Sequence, residues 1–243
     1  MKSRAFLKIL SQAFYDGINH PLILVPSVVL WTFLILISKI SLKVTRLIEN
    51  PVSIHAWFII VSFATVFIIS LIAAGLIGIS ESIIRQRKAS VSQFLTYTRK
   101  FGLRNFVVFI MLTIAGVPVW AVAHYGAFFL GKSFNLGLSS AQTLFILLYF
   151  LGIAGFLIFF IFASFYLVIE NTSLKKSFVL SWRLVSREYP LVLSTTIIFS
   201  ILLFFIDKIQ GLGGDLILYG ILVPIVSLFL TRFVISCQRE TVD

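Results

Sequence analysis

Six stretches of this chain run almost without charge for about the length that a helix needs to cross a bilayer. They are residues 21–40, 56–79, 106–130, 144–169, 191–206 and 216–236. A spanning helix takes roughly 20 mostly apolar residues, because nothing in the hydrocarbon can satisfy an open backbone. The expectation is an all-α integral membrane protein with six transmembrane helices. Composition agrees: 59% of the residues are hydrophobic and 12% are charged, where a soluble domain carries roughly a quarter charged. The fifth run is the shortest and carries Ser194, Thr195, Thr196 and Ser200. Those hydroxyls would bond back to their own helix or across to a neighbour. The sixth contains Arg232, leaving 216–231 as its apolar core.

Lysine and arginine are divided unevenly between the two ends of these runs. Fifteen, from Lys2 and Arg4 to Arg239, fall at the N-terminus, in the second and fourth loops and at the C-terminus. The other side holds five: Lys39, Lys43, Arg46, Lys132 and Lys208. The positive-inside bias then puts both termini in the cytoplasm and the chain in the cell membrane. The net charge of +11 follows from orientation, and nucleic acid is not expected as a partner.

The basic segments are themselves patterned. In residues 172–188, Leu174, Phe178, Trp182 and Val185 recur at helical spacing on one face. Lys176, Arg183 and Arg187 lie opposite, with Lys175 at the flank. A helix of that kind rests in the headgroup region, rings toward the acyl chains and cations toward anionic lipid phosphates. Asn171, Thr172 and Ser173 offer caps for its first amides, and Pro190 suits the first turn of the next helix. The start of the chain reads similarly. Phe6, Leu10, Ala13 and Phe14 would face the membrane and Arg4, Lys8, Ser11 and Tyr15 water, up to Gly17 and an Asn19-His20-Pro21 turn. In the middle, Val91, Phe94, Leu95, Thr98 and Phe101 form a stripe beside Arg99 and Lys100 that would end at Gly102. The expectation is therefore three amphipathic interfacial helices on the cytoplasmic side of one membrane domain, residues 1–243. Each would introduce a hairpin, in repeat units 1–80, 81–170 and 171–243. Ser92-Gln93-Phe94 lies over Lys176-Ser177-Phe178 in that register, which brings Arg99 onto Arg183.

Pro26, Pro118 and Pro224 fall inside runs, and each would remove a helix hydrogen bond and kink its helix. Ala74 with Gly78, and Gly152 with Gly155, mark close helix contacts, with a homo-oligomer as the weaker reading.

Ionisable groups within or bordering a bilayer are costly and so are candidates for function. Glu81, Glu170 and Arg232 close the second, fourth and sixth runs near the same face. Ion pairing among them would lock the bundle; a cation or proton entry site is the alternative. His124 reads as a packing histidine, and Cys237 as a small apolar residue. Asp207, Lys208 and Asp215 flank a glycine-bearing outer loop that reads as a tight turn. No phosphate-cradling loop, HExxH or nucleophile elbow occurs. Neither catalytic residues, a cofactor nor a metal is expected.

The stretch from Glu170 through Ser181-Trp182-Arg183-Leu184-Val185 to Pro190 resembles the prokaryotic six-span proteins grouped with the glycerophosphoryl diester phosphodiesterase membrane domain. That likeness implies a six-span fold and a bacterial or archaeal origin. It transfers no catalytic residue, because the soluble phosphodiesterase domain attached in some members is absent. The leading expectation is a non-enzymatic scaffold or lipid-interacting component of a membrane complex. A small transporter or permease using Glu81 and Glu170 comes second, and a membrane-embedded lipid enzyme third.

Overall fold

A computed structural model describes residues 3–48, 50–134, 137–207 and 212–239; Lys2 and Lys208, with the outer loop through Gly211, lie outside them. The described elements are all helical: α1 (Ser3–Asn19), a 3-10 turn (Pro21–Ile23), α2 (Leu24–Leu47), α3 (Pro51–Gln86), α4 (Val91–Ser133), α5 (Leu138–Phe160), α6 (Ala163–Ile169), α7 (Leu174–Arg187), α8 (Tyr189–Asp207), α9 (Leu212–Asp215), a π-helical segment (Leu216–Leu222) and α10 (Val223–Arg239). Among the described residues five stretches are long and apolar enough to cross a membrane: Pro21–Leu47, Pro51–Gln86, Val91–Ser133, Ser139–Ile169 and Ile217–Gln238. The fifth sequence run forms α8, whose apolar part Tyr189–Leu202 is shorter.

Local chemistry sets the helix ends. Asn50 caps α3 by accepting from the Val52 amide at 2.9 Å, and Pro51 occupies a first-turn position where its missing N–H costs nothing. Ser90 and Ser173 cap α4 and α7 by accepting from the Gln93 and Lys176 amides. Arg87 and Asn171, following α3 and α6, take left-handed conformations with φ of 56° and 50°.

Where an interfacial helix was expected to end at Gly102, α4 instead continues unbroken for 43 residues. Gly102 is a contact point rather than a hinge. A Cβ there would stand 2.3 Å from the Leu71 side chain, so its bareness lets α3 and α4 approach. The other two units have a proline at this place, Pro21 and Pro190, and the middle one has Phe106, which does not stop a helix. The prolines inside runs behave differently from one another. Pro118 stays within α4, whereas Pro26 sits in the first turn of α2 and Pro224 in that of α10. At those two positions a 3-10 turn and the π-helical segment absorb the change.

The core lies toward one end of the bundle. From Ile72 to Ile83 most of α3 is buried, while Phe58, Ile59, Ile60 and Phe63, further back on the same helix, are exposed. Against that buried half pack Phe101 and Val108 of α4, Phe162 to Val168 around α6, and Leu228, Phe229, Phe233 and Val234 of α10. At ~1.5 Å per residue, α3 and α4 span about 54 and 65 Å, against an apolar bilayer core of roughly 30 Å. The apolar exteriors and helix lengths fit a membrane location.

Candidate functional site

At the packed end α1 lies against α10, and α7 against α5 and α6, and several buried polar side chains meet there. α1 buries Ile9, Ala13, Asp16 and Gly17, a single helical face. Phe6 meets Phe229 edge-on at 5.4 Å, so the face expected to touch lipid packs on α10, while Leu7, Phe14 and Ile18 stay exposed.

Asp16 is the hub of this end. Its Oδ2 accepts from Arg232 Nε at 3.0 Å and from Arg232 Nη2, and its Oδ1 accepts from Arg87 Nη1 at 2.9 Å. Arg232 Nη1 donates to Gln12 Oε1 at 3.1 Å, one turn earlier on α1. Asp16 is 1% exposed, so its charge is compensated by these two guanidinium groups rather than by water. One carboxylate thus ties α1, the left-handed cap of α3 and α10. With both oxygens occupied by cationic donors, its geometry is that of a clamp.

The three residues singled out from the sequence do not meet in one cluster. Arg232 goes to Asp16. Glu81, mostly buried, pairs with Arg85 Nε at 3.0 Å and accepts from the Tyr97 hydroxyl at 3.2 Å. Glu170, exposed, accepts from Gln238 Nε2 at 2.5 Å and so links the end of α6 to that of α10. Glu170 stands at the end of α6, while Glu81 and Arg232 lie within α3 and α10, and each has its own partner. Asp16 was missed, although one signal was present: it is the sole acid before Glu49 and shares a helical face with Ile9 and Ala13.

α7 docks through Ser177, Ser181, Leu184 and Val185, all buried. Ser181 donates to the Phe159 carbonyl at 2.7 Å, just before the break between α5 and α6 at Ile161 and Phe162. It supplies a hydrogen bond where the helical ladder is interrupted. Thr172 donates to the Tyr166 carbonyl, and Arg187 Nη2 donates to the Cys237 carbonyl near the end of α10. Trp182 stacks on Phe159 with ring centres 4.4 Å apart and Phe178 meets Phe160 at 5.5 Å, yet Trp182 remains half-exposed. The aromatic stripe is therefore a flank of the docked face, with the small hydroxyl residues at its centre.

Lys175, Lys176 and Arg183 are exposed and border one open notch with Ser173, Val179 and Leu180. Among the described residues no carboxylate pairs with them. Arg99 and Lys100 are exposed on the first turns of α4, with the Lys100 ammonium 4.9 Å from the centre of the Phe101 ring. Arg104 reaches Asn171 Oδ1 at 3.4 Å, which brings the α4 cations to the same end as α7. His124 stacks on Trp120 at 5.2 Å and is far along α4 from this end. Among the described residues no group of three or more His, Cys, Asp or Glu is placed to hold a metal ion. Comparison with protein-family models, with curated proteins and with solved structures finds no match.

Proposed function

We propose that the chain is a six-span protein of the cell membrane, with both termini cytoplasmic, that acts without catalysis as a scaffold holding anionic phospholipid at its basic end. In this reading α8 is the fifth of the six spans, despite its shorter apolar part, and α1 and α7 lie at the headgroup level. The start of α4 serves the same purpose for the middle of three related hairpin units. The likeness to the glycerophosphoryl diester phosphodiesterase membrane-domain proteins belongs to the same proposal.

The observation that carries it is the attitude of α7. Its buried face is fixed by Ser177, Ser181, Leu184 and Val185, which turns Lys175, Lys176 and Arg183 outward into one notch with no acidic partner among the described residues. Ammonium and guanidinium groups held together in that way match lipid phosphates, each contributing on the order of 1 kcal/mol at an anionic surface. Half-exposed Trp182 suits the same depth. The carboxylates that a transporter would need are spoken for: Glu81 by Arg85 and Tyr97, and Glu170 by Gln238.

The test is lipid mass spectrometry of the full chain purified in mild detergent from a membrane of mixed lipids. Lys175→Gln, Lys176→Gln and Arg183→Gln together should lower retained anionic lipid several-fold relative to zwitterionic lipid. An unchanged ratio would remove the lipid role from α7.

A further inference from the structure

The notch on α7 is cationic at its two ends and apolar between them. Lys176, Val179, Leu180 and Arg183 follow one another at helical spacing along a single stripe, and Lys175 adjoins Lys176. Lys176 and Arg183 stand two turns apart, about 10 Å along the helix axis. Exposed Val179 and half-buried Leu180 fill the interval.

The charge of the notch is not spent elsewhere. Among the described residues no carboxylate pairs with Lys175, Lys176 or Arg183. The two acids that flank α7 have other contacts. Glu188 pairs with Arg187 at 3.3 Å, and Glu170 accepts from Gln238. Arg104 donates to Asn171, the residue after Glu170, so that carboxylate has a cation of its own nearby. Arg187 continues the stripe, but Glu188 and the Cys237 carbonyl take up its guanidinium, and it adds no charge to the notch.

This spacing selects among anions. A single phosphate at the middle would rest on the methyl groups of Val179 and Leu180, which donate nothing to it. A phosphate drawn to either end leaves the charge of the other end unmet. At one end two ammonium groups act as point charges; at the other, a guanidinium can hold a phosphate by two parallel N–H bonds. The ligand that fits both ends carries two phosphates on a short bridge. The apolar floor, with half-exposed Trp182 beside Val179, calls for an amphiphile rather than a soluble bisphosphate. Each cation adds little by itself at an anionic surface, so two separate lipids would be held weakly. A bridge makes the second contact intramolecular.

We infer that the α7 notch selects a phospholipid with two phosphodiesters in one headgroup, as in diphosphatidylglycerol, one phosphate at Lys175 and Lys176 and the other at Arg183. This rests on the proposal that the chain holds anionic phospholipid at its basic end, and it specifies which kind.

The experiment reconstitutes the full chain in phosphatidylcholine liposomes that contain phosphatidylglycerol and diphosphatidylglycerol at equal total phosphate. The chain is extracted in mild detergent and its retained lipids are counted by mass spectrometry. Diphosphatidylglycerol should be retained about tenfold over phosphatidylglycerol per phosphate. The substitutions fall on exposed positions and leave the packed face of α7 intact. Arg183→Gln should bring the ratio close to one. Arg183→Gln combined with Val179→Arg keeps the number of cations but moves one to within a turn of Lys176. The ratio should again fall close to one, with phosphatidylglycerol still enriched over phosphatidylcholine. Inorganic pyrophosphate, added at the concentration of the lipid, should release neither anionic lipid. A wild-type ratio near one with phosphatidylglycerol enriched over phosphatidylcholine overturns the selection of a two-phosphate lipid and leaves the broader lipid reading standing. An undiminished ratio in the charge-shifted variant also overturns it, because charge number rather than spacing would then decide. Release by pyrophosphate overturns it by pointing to a soluble anion. Failure of the broader reading looks different, because neither anionic lipid would then be enriched over phosphatidylcholine.

Discussion

Arg232, in the last helix, donates through Nε and Nη2 to Oδ2 of Asp16, 216 positions earlier in the first. Asp16 is almost wholly buried and the Arg232 side chain is 11% exposed, so neither charge has water to fall back on. Asp16→Ala should lower stability by about 3–5 kcal/mol, the usual cost of orphaning one member of a buried pair. Asp16→Leu combined with Arg232→Met should recover most of that loss, since two apolar groups leave no charge uncompensated. Detergent-solution unfolding of Asp16→Leu, Arg232→Met and the double variant measures the coupling. Simple additivity would show that the pair does not hold α1 to α10.

Gly78 lies where α3 crosses α4, and a Cβ there would come within 2.0 Å of Tyr97 Cγ. Tyr97 has little room to yield, because its hydroxyl is bound to Glu81 and its ring stacks on Phe101. Gly78→Ala should therefore destabilise by about 1–3 kcal/mol through overpacking. At Gly155 nothing stands within 4 Å of an added Cβ. Gly155→Ala should be neutral or stabilise by up to ~1 kcal/mol through helix propensity. Thermal unfolding of the two variants side by side checks the contrast.

Ser181 holds the carbonyl of Phe159 beside the α5–α6 break. Ser181→Ala should cost about 1 kcal/mol and raise amide exchange around residues 161–164 above the wild-type rate. Exchange measured by mass spectrometry reports this directly. Protection equal to wild type would mean that the break is held by packing alone.

The apolar runs were legible because bilayer thickness imposes a length that shows in the sequence. The docked face of α7 was half legible. Val185 was read on an apolar face turned toward lipid, whereas it is buried in the protein core; Ser177 and Ser181 were passed over because hydroxyls read as polar until a backbone carbonyl is found for them. Of the Asp16 clamp only the place of Asp16 on the face of Ile9 and Ala13 was legible, since its partners are set by tertiary packing. Gly102 misled for a related reason. A glycine between a polar and an apolar stretch signals a helix end equally with a close contact, and only Leu71 across the interface decides between them.

Membrane topology tests the central claim most directly. Cys237 is the only cysteine and is buried, so a Cys237→Ser background accepts single reporters at Lys43, Lys88, Lys132 and Lys175. Each is probed with a membrane-impermeant maleimide in sealed vesicles of known orientation. Lys88→Cys and Lys175→Cys should react from the cytoplasmic face alone, and Lys43→Cys and Lys132→Cys from the opposite face alone. Reaction of the Lys88 and Lys175 positions from different faces would contradict the hairpin arrangement and every role assigned to its basic end.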